Sequence, residues 1–221
     1  MAALKTLQTL TISTALLTSG GIATLSLFDI PMLRSQPASR SLPLLRWLFS
    51  RGSHTAPTGI LLSSTGFLAL AYTSLPASST SPWTSIFSSS TLSALTQGKP
   101  ALYLTAATLS LFAALFTRAM LPTNFALIEL NEALGGSKSA ASATYRERVG
   151  AQPRSALESV QGKEDVGEWE GSGPQAKTRR EASEEEEQRV RELLGRFGGL
   201  NLVRAGLVGV GGVVGLVCAL G

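Results

Sequence analysis

The chain has 221 residues, of which 44% are hydrophobic and 15% charged, and its formal net charge is +4. A single cysteine and a single histidine exclude a disulfide framework and any Cys/His cluster for zinc, haem or an iron–sulfur centre. The basic residues form no patch interleaved with aromatic ones, so nucleic acid is not an expected partner. The apolar residues occur in blocks and the mean hydropathy is +0.20, which indicates a membrane protein.

Four apolar stretches are candidates for membrane-spanning helices. A helix rises 1.5 Å per residue, so about 20 apolar residues cross a hydrocarbon core of about 30 Å. The sequence therefore predicts an all-α protein, a four-transmembrane-helix bundle. Its spans are expected at about 7–28, 58–75, 101–121 and 200–221.

The first apolar stretch carries small and hydroxyl residues, which allow membrane helices to approach closely. Thr11, Ser19 and the pair Gly20-Gly21 are examples. The alternative is a signal peptide with Lys5 as its basic region, but the apolar run is long and the cleavage signal around Ala23 is poor. A retained first span is the preferred interpretation.

Two connections flank the second span. The first, from Asp29 to Pro57, is basic and proline-rich and is predicted to be a loop with a brief interfacial helix around Trp47. His54 lies at its end, where the chain enters the next span. The second connection, from Pro76 to Pro100, is rich in serine, threonine and proline and is also predicted to be a loop.

The third span closes at Thr117-Arg118 and is followed by Pro122, which should end or kink the helix because proline removes a hydrogen bond and clashes with the preceding turn. Asn124 or Thr123 can cap a further short helix at 125–134. Residues 1–134 thus form the first part of the membrane domain.

A polar segment separates this part from the last span. Residues 135–183 contain few large apolar side chains and are predicted to be a disordered insertion. Order resumes at Ser183, which with Glu186 has the spacing of a capping box. Residues 184–221 then form an amphipathic helix and the fourth span.

Basic residues near the span ends predict the orientation. They concentrate in the first and third connections, so both should be cytosolic and both termini non-cytosolic. The chain is interpreted as a multi-pass protein of an endomembrane.

A few polar residues in or beside the spans are candidates for chemistry. Arg204 lies inside an apolar run, where a guanidinium is costly and is usually paired, although it could also extend to the interface. Asn201 shares its helical face. His54 is a candidate base because histidine as a residue type titrates near neutrality.

Two short motifs bear a resemblance to a known family. They comprise Thr117, Met120, Pro122-Thr123-Asn124, Leu127 and Leu130, and then Leu193-Leu194, Leu200-Asn201 and Arg204 before a glycine-rich apolar end. Together they resemble the anthrone oxygenases, small four-helix membrane proteins. Trp47, Gly52 and Pro57 fit the first loop of the pattern. The chain departs from it at Phe197, where tryptophan is typical, and in the insertion at 135–183.

The resemblance implies a monooxygenase that converts an anthrone-type polyketide to an anthraquinone with molecular oxygen and without a flavin, a metal or any other cofactor. Its partners would be a hydrophobic polycyclic substrate and membrane lipid, and self-association is left open. His54 would be the base, and Arg204 with Asn201 or Asn124 would stabilise the oxyanion. Trp47, Thr117 and Asn124 would contact the substrate.

The alternative is a non-enzymatic membrane scaffold or assembly protein whose polar insertion recruits a partner. In that case Arg204 and Asn201 serve only helix packing.

Overall fold

The computed structural model describes residues 2–75, 93–163, 165–166 and 172–221. These residues form helices and turns, with no strand among them, which confirms the all-α prediction. The helices are α1 (Ala2–Thr24), a π-helical turn (Leu25–Asp29), α2 (Ile30–Arg34), α3 (Ala38–Thr73), α4 (Gly98–Ala133), α5 (Ala140–Arg148), α6 (Ala156–Gln161) and α7 (Glu184–Leu220).

Among the described residues, three helical segments are long and apolar enough to cross a membrane. They are Ala2–Arg34, Gly98–Ala133 and Glu184–Leu220, and they contain three of the four predicted spans. The membrane prediction is therefore supported and is compatible with a multi-pass protein. The other predicted span, 58–75, lies largely within α3, which is not among the three, so the predicted count of four spans is not confirmed.

The helices are longer than the sequence predicted. The expected loop from Asp29 to Pro57 is wrong, because α3 already begins at Ala38. An end at Pro122 is also wrong: α4 continues through this proline to Ala133 and includes the short helix expected at 125–134. Met120 and Leu127 are each 1% exposed, so packing on both sides of Pro122 offsets the lost backbone bond. Of the loop predicted at 76–100, residues 76–92 lie outside the described residues.

One compact unit comprises Met1–Ala23, Ala56–Thr117 and Val203–Gly221. Its core includes Ala15, Phe67, Tyr103 and Val208, one from each of four helices. Polar contacts join the same helices: the Oγ of Ser19 donates to the carbonyl oxygen of Ala205 over 2.8 Å. The predicted use of small and hydroxyl residues in the first span is confirmed at this position.

Gly211 in α7 lies where the main chain of α4 comes close to α7. A Cβ atom at this position would lie 2.9 Å from the backbone oxygen of Ala106 and 3.2 Å from the Oγ of Ser110. Because the nearer atom belongs to the main chain of α4, a side-chain movement cannot make room. The glycine therefore sets the distance between α4 and α7 here.

The second unit comprises Thr24–Thr55 and Arg118–Leu202. Its core draws on α2, α3, α4 and α7, and the buried side chains include Leu33, Leu45, Leu127 and Leu194. The predicted capping box at the start of α7 is confirmed: the backbone N–H of Ser183 donates to the Oε2 of Glu186 over 2.8 Å, and the N–H of Glu186 donates to the Oγ of Ser183 over 3.3 Å.

The prediction of a disordered insertion at 135–183 is not confirmed. Two helices, α5 and α6, lie within it, and backbone hydrogen bonds join it to the rest of its unit. The N–H of Thr178 donates to the carbonyl of Ser39 over 2.8 Å, and the N–H of Arg180 donates to the carbonyl of Leu134 over 3.0 Å. The segment has few apolar side chains, and its order comes from hydrogen bonds and buried ion pairs.

We expect Gly211→Ala to destabilise the protein by about 1–3 kcal/mol, because the added methyl group forces α4 and α7 apart. Gly206→Ala, on the same helix, is the matched control, since a Cβ there meets nothing within 4 Å. Thermal unfolding of the purified protein in detergent compares the two variants. Equal melting temperatures of the two variants would show that the contact between Gly211 and Ala106 does not restrict the size of the residue at position 211.

Candidate functional site

Arg204 and Thr117 are joined in the first unit. Arg204 is 9% exposed, and its Nη1 donates to the Oγ1 of Thr117 over 3.3 Å. The hydroxyl of Thr117 in turn donates to the carbonyl oxygen of Ala113 over 3.3 Å. The threonine thus accepts from the guanidinium while its own proton is used within α4. This arrangement fixes a cation among apolar helices, as the position of Arg204 in the sequence suggested.

The two asparagines of the predicted site belong to the second unit. Asn201 is 1% exposed, Asn124 is half-buried, and in each the buried Oδ1 accepts no hydrogen bond from the described residues. Leaving such an acceptor unsatisfied costs about 1–3 kcal/mol. Buried polar atoms without partners are therefore sites where a ligand or an ordered water can bind.

Trp47 and His54 lie on α3. The sequence had instead suggested that both belong to a loop. The indole Nε1 of Trp47 donates to the carbonyl oxygen of Ser172 over 3.0 Å, and the guanidinium of Arg51 lies 5.0 Å from the centre of its ring. Trp47 therefore holds the insertion against α3. His54 is exposed on the surface of the helix.

The structure thus brings together one pair of the predicted site residues, Arg204 with Thr117. The other four, Trp47, His54, Asn124 and Asn201, are in the second unit.

No local pattern in the sequence indicates the buried ion-pair network of the second unit. The carboxylate of Glu132, which is 1% exposed, receives the Nη1 of Arg146 at 2.9 Å and the Nη2 of Arg154 at 2.7 Å. Arg154 also contacts the Oδ2 of Asp165 at 3.1 Å, and Lys138 lies 3.8 Å from the same oxygen. We define these five residues as the Glu132 network.

The Glu132 network is suited to structure and not to proton transfer. Burial alone would lower the pKa of the Arg154 guanidinium, but its bonds to Glu132 and Asp165 outweigh burial and raise the pKa above its usual value. With a permanent cation on each side, both oxygens of Glu132 are occupied as acceptors. The carboxylate therefore orders the insertion and is not a candidate base.

A cavity of about 350 Å³ borders this network, and Glu132, Arg146, Gln152, Arg179 and Arg180 contribute to its wall. Two of these arginines are already engaged: Arg146 binds Glu132, and Arg180 binds Glu186 at 2.7 Å. Three or more Cys, His, Asp or Glu side chains that could bind a metal do not come together anywhere in the described part of the chain.

Comparison of the chain with known protein families, with curated proteins and with solved structures finds no match.

We expect Glu132→Gln to lower the free energy of unfolding by about 3–5 kcal/mol, because it removes the carboxylate that compensates two buried guanidinium groups. Unfolding of the purified protein by heat or denaturant measures the loss. Glu181→Gln is the control, since its carboxylate is 67% exposed in the pair with Lys177 and should contribute little. Similar losses in both variants would contradict a dominant role for the network.

Proposed function

We propose that this protein is an integral membrane oxygenase of the anthrone oxygenase type, which oxidises an anthrone-type polyketide to an anthraquinone with molecular oxygen. The family resemblance of the motifs around Asn124 and Arg204 motivates the proposal. The observation that carries it is the buried pair of Arg204 and Thr117 in a unit with a hydrophobic core. A flat polycyclic substrate requires an apolar site with few, fixed polar groups.

The reaction needs no electron donor beyond its two substrates. A base removes a proton from the methylene carbon of the anthrone, and the resulting aromatic enolate is electron-rich enough to react with oxygen. One oxygen atom becomes the new carbonyl, and the other leaves as water with the two methylene hydrogens. The methylene carbon is oxidised by four electrons, and these reduce one O₂ molecule completely.

Arg204 has the properties required of a group that stabilises the enolate oxygen. Its charge is permanent, and the bond to Thr117 holds one face of the guanidinium in place before the substrate binds. A preorganised donor in a dry site stabilises developing negative charge more strongly than water does. In this proposal Thr117 positions Arg204 and lies beside the substrate.

The proposal includes a four-span topology in which residues 56–73 of α3 form the additional span. Its support is the packing of this segment among the three apolar helices in the core of the first unit. Phe67 is fully buried there, and a Cβ atom on Gly66 of α3 would lie 2.7 Å from the Cγ2 of Thr11 in α1. With four spans, the first and third connections are cytosolic, and the membrane proposed is an endomembrane.

A second candidate is a non-enzymatic scaffold. The observation that favours it is a set of exposed apolar side chains on the ordered insertion: Val149 is 49% exposed, Leu157 is 55% exposed and Val160 is 52% exposed. A scaffold would show no oxidation of any anthrone, so an activity assay separates the two candidates.

We expect membranes that contain the protein to take up oxygen with emodin anthrone above the spontaneous rate, and Arg204→Ala to reduce the protein-dependent rate by about 10²–10³-fold through loss of oxyanion stabilisation. Arg191→Ala is the control, because this arginine lies on the same helix and pairs with Glu187 on the exposed surface. An oxygen electrode measures both. A variant that keeps its rate would remove Arg204 from the site, and a wild-type rate equal to background would favour the scaffold.

We expect His54→Ala to lower the same rate by about 10²–10⁴-fold, the usual contribution of a general base. His54→Gln, which keeps a polar side chain but cannot take a proton, should be equally impaired. The measurement is oxygen uptake corrected for spontaneous oxidation. Full turnover by either variant would exclude His54 as the base while leaving the assignment of Arg204 intact.

A further inference from the structure

The second unit has an exposed apolar surface where the first helical segment ends. Leu27 is 53% exposed, Phe28 is 65% exposed and Met32 is 61% exposed, and all three precede Arg34. They belong to the apolar segment Ala2–Arg34, which is long enough to cross a membrane. We call these three side chains the α2 apolar surface. In a membrane protein such a surface contacts acyl chains.

Arg34 ends this surface and lies against a glycine of α7. A Cβ atom on Gly195 would be 3.5 Å from the Cζ of Arg34 and 3.6 and 3.7 Å from its two Nη atoms. The planar guanidinium therefore packs on α7 at a residue without a side chain. The N–H donors of the Arg34 guanidinium therefore lie beside α7 and stay exposed.

Arg34 and Arg196, which follows Gly195 in the sequence, differ from three of the arginines near the start of α7. Both are exposed, and neither pairs with a carboxylate of the described residues. By contrast, Arg180, Arg189 and Arg191 lie within 4.0 Å of Glu186, Glu192 and Glu187 respectively. The Arg34 guanidinium packs on Gly195 and Arg196 is the next residue of α7, so two exposed arginines without carboxylate partners among the described residues occur near the end of the α2 apolar surface.

We propose that Arg34 and Arg196 bind the phosphate headgroup of an anionic membrane phospholipid, whose acyl chains lie on the α2 apolar surface. Guanidinium groups present parallel N–H donors that match phosphate oxygens. Anionic lipids are drawn to basic residues next to a membrane-spanning helix. The combination of paired cations with an adjacent apolar surface fits a lipid, which carries both parts, better than a soluble phosphate.

The test is native mass spectrometry of the full-length protein in detergent, titrated with phosphatidylglycerol or with phosphatidylcholine of the same acyl chains. Wild type should bind the anionic lipid more tightly. Arg34→Gln and Arg196→Gln should each weaken phosphatidylglycerol binding about fivefold and leave phosphatidylcholine binding unchanged, since each arginine near a lipid surface contributes about 1 kcal/mol. Arg191→Gln, which breaks an existing ion pair, is the control and should keep the preference.

A second pair of variants tests the geometry without changing charge. Gly195→Leu should displace the Arg34 guanidinium and weaken phosphatidylglycerol binding, whereas Gly199→Leu should not, because a Cβ at Gly199 meets nothing within 4 Å. Equal binding of the two lipids by wild type would overturn the proposal, as would a double arginine variant that keeps the preference. Glycerol phosphate that binds as tightly as the lipid would show a soluble-phosphate site instead, and would also overturn it.

Discussion

The carboxylate of Glu132 holds the described part of the insertion at 135–183 to α4. This group lies at the end of α4, is almost completely buried and receives guanidinium groups from two separate parts of the insertion, Arg146 in α5 and Arg154 before α6. Removing one charge from water is costly, and the cost is offset only when several partners surround it in good geometry. Because Arg146 and Arg154 compensate the same carboxylate, separating either part of the insertion from α4 would leave Glu132 with one guanidinium partner fewer. A polar segment obtains in this way the fixed conformation that apolar packing gives elsewhere.

The sequence predicted those structural features that depend on residues close together in the chain. Blocks of apolar residues located the three long apolar segments, and the spacing of Ser183 and Glu186 located the start of α7. It failed where the signal is distant. Glu132 and Arg154 are 22 residues apart, so no local window contains the network, and the composition of 135–183 alone favours disorder. The same limitation hid the continuation of α4 through Pro122, since packing against other helices outweighs the local cost of a proline.

The candidate site shows the same division. A charged residue within an apolar run is expected to bind a polar partner. Arg204 binds Thr117, which lies 87 residues away in the sequence. The motif singled out Thr117 as a substrate contact, and the sequence did not predict its bond to Arg204. Trp47 illustrates the converse: it was expected to contact the substrate, but its indole N–H is used by the backbone of Ser172. A polar atom on an amphipathic ring can serve either purpose, and only the three-dimensional contacts distinguish them.

The contact at Gly211 places an unusual limit on how the sequence can vary. Most tight contacts between helices join two side chains, so a larger residue on one helix can be accommodated by a smaller one on the other. Here the opposing atom is the main-chain oxygen of Ala106, which every residue at that position would present. No substitution at position 106 can therefore compensate for a side chain at 211. Residues of α4 and α7 on either side of this contact can vary. At the contact itself, the main chain of α4 sets the distance between the two helices.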